Sequence, residues 1–273
     1  MDALITEIGA RGLEIMLKYL IVLLFALAAA PLFAETGLVA RSVEVDGTTY
    51  GYQVFVPSQW TSDETWPVIL FLHGAGERGD DGLRQLDEGL PEILRDRPDF
   101  PAVVVMPQCH RGMWWGDPAM EAQTFEALDA SMSEFNGDPA RVYLTGLSLG
   151  GYGTWAFGYK YPNKFAALAP VCGGVTPSRA FVIPEWHPAA RSPADPFTET
   201  ARGLGDVPVW AFHGDSDRRV PVEESRNLTN ALEKAGGNVR YTEYAGVGHN
   251  SWDRAYAEAD LIAWLLSHAN TQE

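Results

Sequence analysis

The feature that most restricts the fold is a series of short, unbroken apolar runs separated by helical patterns. Val68-Ile-Leu-Phe-Leu72 is one, and others lie at Ala102–Met106, Val142–Thr145, Ala166–Val171 and Val207–Phe212, with a last strand pattern, interrupted by Arg240, Thr242 and Glu243, at Val239–Tyr244. A strand with one face in water alternates apolar and polar residues, so an unbroken run implies burial on both faces. Helical patterns fall between the runs, at Gly89–Arg95, Glu121–Phe135, Tyr152–Tyr161, Glu223–Ala235 and Asp253–His268. Strand and helix in alternation predict an α/β domain, a mostly parallel sheet with helices on both faces. Ahead of the series, Leu38–Val45 and Thr49–Val56 read as strands joined at Asp46-Gly47, a hairpin-turn dipeptide. Sheets of this kind build their chemistry beyond the carboxyl ends of the strands, so those loops are where to look.

The loop after Val142–Thr145 is Gly146-Leu-Ser148-Leu-Gly150-Gly151, followed at once by a helical pattern. This is G-x-S-x-G in the strand–turn–helix setting that gives the motif its meaning. The turn is too sharp for flanking Cβ atoms, hence the glycines, and it leaves the Ser148 hydroxyl exposed at its tip. The N–H of Leu149 opens the helix beside it and is placed to stabilise a developing oxyanion. A serine hydroxyl needs a base to take its proton. Two later strand ends offer the partners: Asp215-Ser-Asp217 after Val207–Phe212, and His249 in the glycine-rich loop after Val239–Tyr244. Ser, then acid, then His, each after a different strand, is the order of this kind of site. Asp217 is favoured over Asp215, which lies nearer the strand end and is suited to holding the turn through an Asx hydrogen bond. His73 and His213 each end a strand beside a glycine and are expected to be structural, and His110, His187 and His268 to lie on loops or the surface. The second oxyanion donor is expected from His73-Gly-Ala-Gly-Glu-Arg-Gly79, with the Ala75 N–H as the choice and Glu77 and Arg78 as a solvated pair.

A field set by 36 acidic against 20 basic side chains, a net −16, repels a phosphate backbone and excludes nucleic acid as the expected partner. Lys18 precedes the apolar run Tyr19–Ala30, which is too short to span a bilayer comfortably and reads as a signal peptide cut after Ala34, with an uncleaved N-terminal anchor as the alternative. Three acids among the first residues, Asp2, Glu7 and Glu14, are odd for a leader and suggest a true start at Met16. The expected organisation is therefore a leader over 1–34 and one catalytic domain over 35–273, secreted or periplasmic, with no membrane attachment after processing. About 240 residues suit a single α/β domain. Export permits a disulfide, but Cys109 and Cys172 follow strands that are not expected to be neighbours, so a bond requires their loops to converge. Neither cysteine has metal or redox spacing, and no metal or cofactor is implied. The proline-broken stretch 173–205 rules out a long helix and is either a lid or a surface excursion.

Leu72-His-Gly-Ala-Gly-Glu-Arg-Gly79, Met106-Pro-Gln-Cys109, Gly146-Leu-Ser-Leu-Gly-Gly151 and His213-Gly-Asp-Ser-Asp217-Arg-Arg-Val-Pro221 together resemble the exported esterases related to prolyl oligopeptidase. Dienelactone hydrolase, acyl-protein thioesterases and feruloyl and acetylxylan esterases are similar. The resemblance runs over most of residues 40–268. It implies an α/β-hydrolase fold, Asp217 as the acid of the His-Gly-x-x-Asp pattern, and hydrolysis of carboxylic esters. The expected substrate is a small or plant-derived acyl ester, with Trp115 and Trp186 as aromatic walls near Ser148. The alternatives are a peptidase for short peptides using the same triad, and a non-catalytic binding protein on the same fold. Nothing in the chain indicates its oligomeric state.

Overall fold

Alternation of side chains across each strand decides which half of the core it feeds. In the computed structural model, which describes residues 35–176 and 181–270, strand β3 (Trp66–Leu72) is buried along its whole length. Val68, Leu70 and Leu72 point to one face and join Leu128, Trp155 and Phe157. Ile69 and Phe71 point to the other and join Leu90, Leu94, Tyr256 and Leu261. Each such side chain withdrawn from water contributes about 1.5–3 kcal/mol, which is why the run contains no polar residue.

The remaining strands are β1 (Gly37–Val45), β2 (Thr48–Val56), β4 (Val103–Pro107), β5 (Gly137–Leu147), β6 (Ala167–Val171), β7 (Val209–Gly214) and β8 (Val239–Tyr244). They form one eight-stranded sheet in the order β1-β2-β4-β3-β5-β6-β7-β8. β2 runs antiparallel to β1 and β4, and every other pair is parallel. The β1–β2 hairpin turns on Asp46 and Gly47 at φ 49° and 77°, the left-handed pair that a two-residue turn requires. Order reverses around β3, which lies between β4 and β5, so the loops after β3 and β5 open onto a common crevice. Thr36–Glu273 form one compact unit. The leader expected over 1–34 lies outside the described residues.

The helices are α1 (Leu90–Leu94), α2 (Pro118–Glu134), α3 (Leu149–Lys160), α4 (Pro188–Arg191), α5 (Pro196–Leu204), α6 (Glu223–Lys234), α7 (Trp252–Tyr256) and α8 (Leu261–Leu266). None among the described residues is long and apolar enough to cross a membrane. Helix α2 begins three residues before its apolar pattern, because Pro118 supplies the fixed φ of a first helical position. The pattern over Asp253–His268 is two helices rather than one. Tyr256 and Leu261 are both in the core, and five positions apart they would point about 140° from each other on a continuous helix.

Among its described residues the stretch 173–205 has no long helix, as its prolines require, but two short ones. Each opens on a proline and is capped by the residue before it, His187 Nδ1 accepting from the Ala189 N–H (3.2 Å) and Asp195 Oδ1 from the Thr198 N–H (3.1 Å). Phe181, Ile183 and Trp186 pack it onto the body, and the Trp114 indole N–H donates to the Val182 carbonyl at 3.1 Å. None of its described residues lines the crevice after β3 and β5. Cys109 and Cys172 are both buried free thiols.

Candidate active site

Helix α3 starts directly where β5 ends, and the junction is too tight for side chains. A Cβ on Gly150 would overlap the Leu72 carbonyl, and one on Gly146 would stand 2.6 Å from the same oxygen. Ser148 absorbs the turn at φ 52°, ψ −110°, a backbone conformation that L-residues hold only when their surroundings enforce it. Its N–H is fastened to the Val171 carbonyl at 2.9 Å, and its carbonyl accepts the Tyr152 N–H at 3.0 Å. The hydroxyl therefore stands clear of the sheet. The Leu149 N–H is among the first-turn amides that a helix leaves without an intrahelical partner.

His249 comes from the loop after β8 and Asp217 from the loop after β7. His249 Nε2 lies 2.9 Å from Ser148 Oγ, and its Nδ1 lies 2.7 Å from Asp217 Oδ2. The Asp217 side chain is fully buried while that of His249 is 16% exposed, so the carboxylate is shielded and the imidazole faces the crevice. Burial pushes the Asp217 carboxyl up, but hydrogen bonds from His213, His249 and the Arg219 and Val220 amides outweigh it and hold the group well below the usual carboxylate range. The two amides bind Oδ1 at 2.8 and 3.0 Å. An ionised acid fixes the His249 tautomer with the proton on Nδ1, leaving Nε2 to accept from the serine hydroxyl.

The neighbouring acid has a different task. Asp215 Oδ1 accepts from the Gly246 N–H and the Ser216 hydroxyl, both at 2.8 Å, and so ties the β7 loop to the β8 loop that carries His249. His213 is structural in its contacts yet touches the acid. Its Nε2 lies 3.2 Å from Asp217 Oδ2 and 3.1 Å from the Val220 carbonyl, and its Nδ1 is 2.7 Å from Ser225 Oγ. His73 is fully buried, and His187, expected on a loop or the surface, is 1% exposed because Trp114 and Trp186 enclose it.

Ser148 and His249 open onto a cavity of about 370 Å³ that Ala75 and Gly76 of the β3 loop also line. Neither tryptophan chosen as its wall is there. Trp115 is fully buried beneath the β3 loop, its indole N–H donating to the His73 carbonyl at 3.1 Å. Trp186 borders a separate cavity with Glu121, Phe125 and Tyr161, where the Lys160 ammonium stands 4.4 Å from its ring centroid. The aromatic wall is Trp252, whose ring meets His249 edge-on at 5.4 Å and whose N–H donates to Glu88 at 3.0 Å. Gly74, Glu77, Glu88, Leu147, Arg219 and Asn250 complete the cavity. Adjacency to His249 was the only sequence signal for Trp252, and Glu88, 164 positions away, carries none. Glu77 is no simple solvated ion. Burial raises its carboxyl pKa, against hydrogen bonds from the Glu77 and Gly74 amides.

The model of the prolyl oligopeptidase family matches residues 115–272, more than half of the chain. An uncharacterized secreted protein of Arthroderma benhamiae is 28% identical over 213 residues, which are 72% of this chain and 22% of that protein. A carboxylesterase of Arabidopsis thaliana is 27% identical over 204 residues, 67% of this chain and 82% of the relative. Among solved structures, a thermostable esterase superposes with a TM-score of 0.71 at 31% identity, over 85% of this chain and 63% of that one. The chain thus spans about a fifth of the length of the Arthroderma protein. With its sheet order, its elbow and the residues matched, this chain belongs to the prolyl oligopeptidase family and has the α/β-hydrolase fold.

Proposed function

We propose that the protein hydrolyses carboxylic esters through an acyl-enzyme on Ser148, with small or plant-derived acyl esters as substrates. The observation that carries this reading is the hydrogen-bonded line from Ser148 Oγ through His249 to Asp217, at 2.9 and 2.7 Å, opening onto a cavity. Ser148 Oγ attacks the ester carbonyl while His249 Nε2 takes its proton, and the Ala75 and Leu149 N–H groups receive the oxyanion. Collapse expels the alcohol, which leaves with the proton held on His249. Water then repeats the sequence on the acyl-serine and frees the acid. Asp217 stays ionised throughout and stabilises the imidazolium. The Arabidopsis carboxylesterase and the thermostable esterase support an ester substrate.

The family's name favours a second reading, cleavage of short peptides by the same triad. Initial rates on a short-chain p-nitrophenyl ester and on a peptide anilide separate the two. Turnover of the ester alone is expected, and turnover of the anilide alone would overturn the ester reading. Ser148→Ala is expected to remove about four to six orders of magnitude of rate without unfolding the protein. A folded variant with a tenth of wild-type activity would refute the mechanism. We further propose that the protein is exported and that the mature chain begins near Glu35, supported by the Lys18-led apolar run and the secreted relative. N-terminal sequencing of exported material tests this, and an intact Met1 or Met16 terminus would overturn it.

A further inference from the structure

The β3 loop carries the Ala75 N–H past Ser148, and its backbone is held in an unusual way. Three successive carbonyls each accept a hydrogen bond from a side chain. The Trp115 indole N–H takes the His73 carbonyl at 3.1 Å, the His73 ring takes the Gly74 carbonyl at 2.6 Å, and Arg78 Nε takes the Ala75 carbonyl at 3.1 Å. The donors are themselves fixed. His73 Nε2 accepts the Cys109 N–H at 2.9 Å, so its proton sits on Nδ1 and faces the Gly74 carbonyl. Arg78 Nη1 donates to the Met113 carbonyl at 2.9 Å, and the Trp115 ring meets His73 edge-on at 4.9 Å.

A trans peptide is planar, with its C=O and N–H pointing in opposite directions. Holding the oxygen of a peptide therefore aims its hydrogen. The peptide from His73 to Gly74, held by Trp115, turns the Gly74 N–H to the Glu77 carboxylate, one of the two amides that bind it. The next peptide, held by His73, turns the Ala75 N–H away from the ring and from the protein interior. The third, held by Arg78, sets the Gly76 N–H. Gly74, Ala75 and Gly76 all border the cavity, but Gly74 is buried with its N–H taken by Glu77, whereas Ala75 and Gly76 are exposed.

We propose that Trp115, His73 and Arg78 are positioning residues that pin three successive peptides of this loop by their oxygens and so aim the Ala75 N–H at the oxyanion. The proposal rests on the assignment of Ser148 as the nucleophile of an ester hydrolase. None of the three side chains touches substrate in this scheme, and their effect is confined to the step in which charge develops on the carbonyl oxygen. An amide aimed in advance stabilises that charge without rearrangement, and a loosened one loses much of its effect.

Arg78→Met keeps the aliphatic stem of a half-buried side chain and removes both donors. Trp115→Phe keeps a ring under the loop and removes the N–H. Both are made in the full chain and assayed with p-nitrophenyl acetate, with an aryl trifluoromethyl ketone that forms a tetrahedral adduct on the serine, and with acetate as a ground-state competitor. In each variant kcat is expected to fall about 10- to 100-fold and the ketone Ki to rise by a similar factor. KM and the acetate Ki are expected to stay within about threefold. Unchanged kcat and ketone Ki in folded Arg78→Met would overturn the clamp, even if Trp115→Phe misfolds. So would losses in which KM and the acetate Ki rise as much as the ketone Ki, which indicate a generally disordered cavity. Wild-type protein that neither turns over the ester nor binds the ketone would instead overturn the ester-hydrolase assignment, and the clamp with it.

Discussion

Acidification is the perturbation whose size follows most directly from the structure. His73 and His187 are 0% and 1% exposed, and burial lowers the pKa of each from 6.5 to about 4. The folded protein therefore binds these two protons less tightly than the unfolded chain does. Stability is intact above about 6.5 and falls as the pH drops from there to about 4. Between about pH 7.5 and about pH 5, each histidine removes about 2 kcal/mol, or about 4 together, out of the roughly 5–15 kcal/mol of a typical domain. His268, also lowered by burial, acts in the same direction. Glu77 and Glu224, whose carboxyls burial raises, act in the opposite one near the bottom of the window. His187→Asn isolates one contribution from all of these. Asparagine is a good helix N-cap and replaces the acceptor that His187 offers the Ala189 N–H, so stability at neutral pH should stay within about 1 kcal/mol. The acid-induced loss in the variant should be about 2 kcal/mol smaller than in wild type, read from urea unfolding at the two pH values. Equal losses in the two proteins would refute the reasoning, because a buried neutral His187 could not then be opposing protonation.

Asp217→Asn should lower kcat about ten-thousandfold by favouring the wrong His249 tautomer, while Asp215→Asn, which keeps an acceptor for the Gly246 N–H, should lose less than tenfold. The reverse ranking in steady-state assays would move the acid role to Asp215. Gly150→Ala forces a Cβ onto the Leu72 carbonyl and should destabilise the fold by about 3 kcal/mol or more. A variant of unchanged midpoint in denaturant would show that the elbow yields more easily than this packing allows. Cys109 and Cys172, whose thiols burial pushes up to about 12, should resist a thiol reagent in the native protein and both react once it is unfolded. Fast labelling of either thiol under native conditions would contradict their burial.

The parts of this protein legible in its sequence are those governed by neighbours along the chain. Burial on both faces requires an unbroken apolar run, so β3, β4 and β6 declared themselves and with them the parallel sheet. The elbow is equally local, since Gly146 and Gly150 are required by a turn five residues long. The order of Ser148, Asp217 and His249 follows from the strand ends that carry them, and the structure joins all three by hydrogen bonds. What tertiary structure decided is which aromatic residue meets which surface. Trp115 and Trp252 look alike in a sequence, as large side chains just beyond a strand end. Their roles differ because Trp115 reaches a carbonyl 42 positions away under the β3 loop, and Trp252 reaches Glu88 164 positions away across the cavity. The break between α7 and α8 is of the same kind, imposed by a sheet surface to which Tyr256 and Leu261 must both turn. Periodicity records that a residue is apolar and on which face of its own element it lies. The partner on the other side of that face is set only when distant elements pack, because burial energy depends on area removed from water and carries no direction of its own.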